Sequence, residues 1–151
     1  MSSEAAHSPA SSWRWAVAEI ISVGLPFCAF KIVTGIVALH RPSLAILGYV
    51  LLALGVIDLA LNAANFASLL LLRRRIAPVC LSQWLVDRIT TTKRGVGVAI
   101  DVLISFILVA IVVGFGLFGG LSPWTLRCWN LAVVLNVLGA GIGQLLTALR
   151  R

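Results

Sequence analysis

The chain predicts an all-α fold: an integral membrane bundle of four transmembrane helices, up-down-up-down, with a short interfacial helix in the middle loop. Three observations carry this. Of 151 residues, 60% are hydrophobic and 11% charged, where average soluble domains carry about 25% charged residues. Four apolar stretches, at about 15–39, 44–72, 96–121 and 124–149, each exceed the ~20 residues that cross a ~30 Å hydrocarbon core. The positive charges gather at the ends of those stretches, as the positive-inside rule requires. A net charge of +7 would point to nucleic acid in a soluble domain, but this placement accounts for it without a nucleic-acid partner.

Residues 1–14 open with MSSEAAHSPASS, small and polar, and read as a disordered cytoplasmic tail. The apolar run that follows is longer than a signal-peptide core, and only Arg14 precedes it, so the first helix is expected to stay as an anchor. The remainder, 15–151, reads as a single four-helix domain. In the first helix Pro26 removes a backbone donor, which predicts a kink with the Ser22 carbonyl left free. Gly24, Cys28, Lys31, Gly35 and Ala38 follow a four-three-four-three spacing and form a close-packing seam with one charge in it. Glu19 lies near enough to the interface to stay wet. His40-Arg41-Pro42-Ser43 is a tight turn, which makes the first two helices an antiparallel hairpin.

The second helix is the stretch to which the others answer. Asp58, Asn62 and Asn65, spaced four and then three, share one face, extended by Gly48, Leu51, Gly55 and Ser68. Sixteen Leu, Ile, Val and Phe residues in 44–72, at ~0.3–0.6 kcal/mol each, outweigh the ~2.5–3.5 kcal/mol cost of a central aspartate. The helix therefore inserts, and its small, polar face must look inward at protein.

Arg73-Arg74-Arg75 ends that helix. In the loop that follows, Pro78, Leu81, Trp84, Leu85 and Ile89 occupy most of one side of a helical wheel. This predicts the interfacial helix, with Trp84 as anchor and Arg88 snorkelling; a cytosolic docking loop is the competing reading. The third helix carries Asp101 and Ser105 and runs into Gly114, Gly116, Gly119 and Gly120. Ser122 and Pro123 suit the N-cap and first turn of the fourth helix, on which Ala132, Asn136, Gly139 and Gly143 repeat the small-and-polar seam.

Arg14, Arg73, Arg74, Arg75, Arg88, Lys93, Arg94, Arg150 and Arg151 fall on one side of this topology, Arg41 and Arg127 on the other. Nine against two puts both termini in the cytoplasm and the protein in the plasma (inner) membrane. Trp13, Trp15 and Trp84 then mark the inner interface, Trp124 and Trp129 the outer one.

Counted by depth, Asp58 and Asn136 fall roughly 20 Å from the outer surface and Lys31 roughly 12 Å from it. A lysine stem spans that difference, so Lys31 reaches either Asp58 or, pointing outward, Asn130. Asp101 is expected near Asn65 and Ser68.

Two functions follow from the polar layer of Lys31, Asp58, Asn62, Asn65, Asp101 and Asn136. In one it is interhelical glue, worth ~0.6 kcal/mol per polar contact, with Lys31 and Asp58 neutralising each other. The protein is then a non-enzymatic accessory or assembling subunit. The packing seam of Gly24, Gly35, Gly48, Gly55, Gly139 and Gly143 supplies close approach; its members on the first and fourth helices, with the basic face, mediate contacts. In the other, the layer lines a proton, ion or solute path in a small transporter or channel protomer. Its expected partners are anionic lipids at the inner face and a membrane protein or a second copy. No enzyme is expected. The two histidines, His7 and His40, lie in a tail and a turn, and no HExxH, GxSxG or phosphate loop occurs. Cys28, Cys80 and Cys128 lack ligand spacing, so neither metal nor cofactor is expected.

Overall fold

The computed structural model describes residues 9–77, 80–81, 84–85 and 96–149, with side chains from residue 13 onward except those of 96–99, 101 and 146–149. All regular structure among them is helical: α1 (Pro9–Glu19), a π turn (Ile20–Gly24), α2 (Leu25–Leu39), α3 (Ala45–Leu72), α4 (Val96–Gly114) and α5 (Pro123–Leu149). Three helical spans are long and apolar enough to cross a membrane: Trp13–Leu39, Pro42–Leu72 and Pro123–Leu145. The apolar part of α4 among the described residues, Val102–Gly114, is shorter.

The α1–π–α2 rod is the axle of the bundle. In its apolar window 56% of residues are buried, against 22% in each of the other two long spans. The stretch around Asp58 thus supplies the polar chemistry, while the first helix supplies the centre. Ile20 packs with Ala16 and Leu69 near one end. Phe30 meets Leu51 and Leu108 further along, and Val37 meets Val112, Leu117 and Trp129 at the other end. Along α2, partners on α3 fall in number as those on α4 rise, so α2–α3 pack antiparallel and α2–α4 parallel. α5 runs antiparallel to the rod, with Trp129 beside Val37 and Gly139 beside Ser22.

Pro26 acts on the turn before it. Leu25 N–H bonds Ile20 O across a π turn, five residues back, so one extra residue is taken up where the proline interrupts the ladder. The Ser22 hydroxyl donates to Ala18 O at 2.6 Å. Gly139 of α5 packs against Ser22 O so closely that an added Cβ would collide with it. The carbonyl that the proline was expected to free is therefore covered by a glycine of α5.

Small residues set the other close approaches. A Cβ at Gly35 would stand 2.9 Å from Gly48 O, and one at Gly48 3.0 Å from Gly35 O; the two backbones touch through these glycines. Gly55 faces Ile32, whose N would lie 3.1 Å from an added Cβ, and Gly143 faces Val23 at 3.0 Å. Gly24 makes room for the Asn62 amide. All six seam glycines are thus used inside the chain. The first and fourth helices close on each other through Gly139 and Gly143.

Other expectations are revised. The first helix begins at Pro9, within the 1–14 stretch read as a tail; proline suits a helix's first turn, where its missing N–H costs nothing. α4 stops at Gly114, and 115–120 form turns in which Gly116 (φ 58°) and Gly120 (φ 89°) adopt a left-handed backbone, which glycine enters without strain. Trp129, assigned to an interface, is 4% exposed and meets Phe118 edge-on at 5.1 Å. Trp124 is exposed.

Candidate functional site

The buried face of α3 is Gly48, Leu51, Gly55, Asp58, Asn62, Asn65, Ser68 and Leu69. Three-four spacing alone puts these residues on one side, and the α1–π–α2 rod covers it. Lys31 Nζ donates to Asp58 Oδ2 at 2.8 Å, with 6% and 3% of the two side chains exposed. Lys31 therefore turns to Asp58 and not to Asn130, which is exposed on α5. The other carboxylate oxygen, Oδ1, accepts the Leu81 N–H at 2.7 Å. Leu81 opens a helical turn in which Trp84 N–H bonds Cys80 O at 3.2 Å. The Asp58 carboxylate thus lies between an ammonium and the positive end of a helical turn.

Contact with Leu81 belongs to a longer pattern. The Ser68 hydroxyl donates to Arg74 O at 2.7 Å. Asn65 Nδ2 donates to Ala77 O at 2.9 Å, while its Oδ1 accepts Ala77 N–H at 2.9 Å and Ile76 N–H at 3.3 Å. After Arg73, whose left-handed backbone (φ 54°) ends α3, the chain turns back and runs antiparallel along the polar face. From Ser68 to Asp58 is ten residues of helix, about 15 Å. The segment therefore reaches the depth of the Lys31–Asp58 pair, and its start does not lie along an interface as the apolar wheel suggested. Pro78, Arg88 and Ile89, which completed that wheel, lie outside the described residues. The physical reason for the difference is that Asp58, Asn65 and Ser68 need partners away from water, and a returning main chain supplies both donors and acceptors.

Asn62 Nδ2 donates to Asp58 O at 2.8 Å and contacts Cys28 Sγ at 3.5 Å. Asn62 and Cys28 thus knit α3 to the rod one turn from the ion pair. Asn136 is buried on α5, but its Oδ1 has no hydrogen-bond partner among the described residues. It stands apart from the ion pair with which the depth count grouped it. α4 carries Asp101, whose side chain lies outside the described residues, so its expected approach to Asn65 and Ser68 does too. At the end of the bundle near Ser68, Arg75 bonds Glu19 Oε2 at 2.7 Å and Ala16 O at 3.4 Å.

Two features had no part in the sequence reading. The Glu19–Arg75 bridge joins charges 56 residues apart, which no local spacing reveals. The returning segment did leave a signal: the apolar run Ile76-Ala77-Pro78-Val79-Cys80-Leu81 follows directly on three arginines, and the α3 polar stripe continues to its end at Ser68.

Chemically, the layer joins one cation to one anion, and backbone N–H groups close the Asp58 Oδ1 and Asn65 Oδ1 acceptors. Among the described residues, no three His, Cys, Asp or Glu side chains converge as metal ligands would. No protein-family model, no curated protein and no solved structure matches this chain. What the fold defines is a helical protein with membrane-length apolar spans.

Proposed function

We propose that the chain is a small multi-pass integral membrane protein acting as a non-enzymatic accessory or assembling subunit. All four helical stretches cross the plasma (inner) membrane, with both termini on the cytoplasmic side and the 73–95 loop entered from that side, its 76–81 stretch dipping along α3. The nine-to-two distribution of positive charge supports this orientation. One observation carries the reading of the polar layer: both oxygens of the Asp58 carboxylate are engaged, one by Lys31 and one by the Leu81 N–H. A transport residue must exchange partners with its cargo, whereas these contacts hold helices and loop together. The layer is structural.

With the glycine seams consumed inside the bundle, contacts to a partner fall to the outward faces of α3 and α4 and to the basic end. There Arg73 and Arg74 are exposed and suit the phosphates of anionic lipids.

The test joins two measurements. Purification from native membranes in mild detergent should recover a stoichiometric membrane-protein partner or a self-associated form. Purified protein in liposomes should show no proton or ion flux that depends on Asp58. A flux present in the wild type and lost in a folded Lys31→Met/Asp58→Leu variant would overturn the proposal in favour of a transporter or channel protomer.

A further inference from the structure

Ser68, Asn65 and Asp58 are buried on α3, and what they hold in the returning segment is main chain: Arg74 O, Ile76 N–H, both groups of Ala77, and Leu81 N–H. The returning segment thus lies on this face as a peptide lies in a binding site. We infer that the polar face of α3 is a site for an extended polypeptide, at which a segment of a partner protein exchanges with the chain's own. The inference rests on the assembling role and gives that partner's chemistry.

Three observations select that occupant. The first is Asn65. Its carboxamide donates to Ala77 O and accepts from Ala77 N–H, both at 2.9 Å, and accepts from Ile76 N–H at 3.3 Å. One residue is gripped by its N–H and its C=O together, as an added strand is gripped at a sheet edge. Lipid acyl chains offer neither group. The bond from Leu81 N–H to Asp58, four residues on, keeps the register of one continuous chain.

The second is what the site ignores. Ile76 is 59% exposed, Ala77 and Leu81 are half-buried, and Cys80 alone among the described side chains of the segment's 74–81 stretch is buried. The hold is by hydrogen bonds more than by apolar packing, so another backbone satisfies the same groups, bond for bond. An empty face would strand Asn65 and Ser68 inside the membrane, and the segment therefore leaves as another chain arrives. Lys31 keeps Asp58 throughout, and the layer goes on holding the helices.

The third is the hinge. Arg73 is the one non-glycine residue with a positive φ, 54°, among the described residues, a conformation in which its Cβ crowds the following carbonyl. Lifting the segment releases that crowding. The nearest tie beyond it, Arg75 to Glu19, is partly exposed and screened.

Maleimide labelling of the buried Cys80 in the purified full chain, with Cys28→Ala and Cys128→Ala, reads the exchange in neutral-detergent micelles. The probes are three end-blocked peptides copying residues 73–84, each with Cys80→Ser. One is otherwise unchanged and one carries Ile76→Leu and Leu81→Val. The last is N-methylated at Ala77 and Leu81, which removes both N–H groups and leaves the side chains intact. The first should raise the labelling rate at least tenfold, with saturation. The second should come within threefold of the first, and the third should be at least tenfold weaker. No rise with the first peptide, a larger loss with the second, or a smaller loss with the third would each overturn the inference. Fast labelling with no peptide present would overturn it too, since water would then be the occupant. A membrane partner recovered alongside failed exchange would sink this site and leave the assembling role standing. Exchange with no partner in native membranes would do the reverse.

Discussion

Replacing Lys31 by Met should destabilise the bundle strongly, and double variants with Asp58 report on the returning segment. At 2.8 Å and an effective dielectric near 20, the pair's attraction is about 6 kcal/mol, offset by several kcal/mol of desolvation per ion. The net worth of the pair is therefore small, but removing one partner strands the other, at ~3–5 kcal/mol. Lys31→Met and Asp58→Leu should each cost that much. Their double mutant should recover most of the loss, but not all of it, because leucine also abandons the Leu81 N–H. An unsatisfied buried donor costs ~1–3 kcal/mol. Asparagine keeps an acceptor for Leu81, and a glutamine at 31 offers a carbonyl to the new amide, so Lys31→Gln/Asp58→Asn should exceed Lys31→Met/Asp58→Leu in stability by roughly that ~1–3 kcal/mol. The assay is unfolding in mixed micelles by SDS titration, followed by tryptophan fluorescence. Additive single-mutant losses would mean that the ion pair does not form. Equal stability of the two double mutants would mean that Leu81 does not bond Asp58, and the antiparallel run along α3 would lose its deepest support.

Gly139→Ile should destabilise by ~1–3 kcal/mol through overpacking against Ser22 O, while Gly141→Ile, two residues on, should stay within about 0.5 kcal/mol as surface substitutions do; reversed sizes in the same titration would refute the α5–rod contact. Asn65→Leu removes the clamp on Ile76 and Ala77 and should speed maleimide labelling of the buried Cys80 in a Cys28→Ala/Cys128→Ala background. An unchanged rate would mean that the segment is held elsewhere. Glu19→Gln should cost under about 1 kcal/mol, since the Glu19–Arg75 bridge is 28% and 31% exposed and such pairs are screened; a larger loss in the micelle titration would show that it is sheltered by lipid. A cysteine placed at Ser2 should resist an impermeant thiol reagent in intact cells and react in inverted vesicles, and labelling from outside would reverse the orientation.

Periodicity made the helical plan and the inward face of α3 legible, because a stripe of Asp58, Asn62, Asn65 and Ser68 leaves an apolar helix no other way to sit. Depth counting along two antiparallel helices brought Lys31 within reach of Asp58, since helical rise is nearly constant. The same counting grouped Asn136 with that pair and failed, because depth fixes one coordinate and says nothing of rotation about the helix axis. Trp129 shows the related limit. Its position near a helix start fits an interface, but whether a ring turns to lipid or to Val37 depends on a neighbouring helix. The returning segment was hidden for a different reason: its bonds use main-chain N–H and C=O groups, which every residue but proline shares, so its side chains do not announce them.

That last property divides the burden of heredity between the two strands of the contact. Ser68, Asn65 and Asp58 read the backbone of Arg74, Ile76, Ala77 and Leu81, so, the Arg75 bridge to Glu19 aside, the information for the fold-back is written in α3 more than in the segment it holds. In a saturation mutagenesis library, the three α3 positions should be intolerant of almost every change. Positions 76, 77 and 81 should accept many apolar side chains and reject proline, the one residue without an N–H to offer. The loop is free to drift in sequence while keeping its path, and descendants of this chain would share a rail long after their loops had ceased to resemble one another.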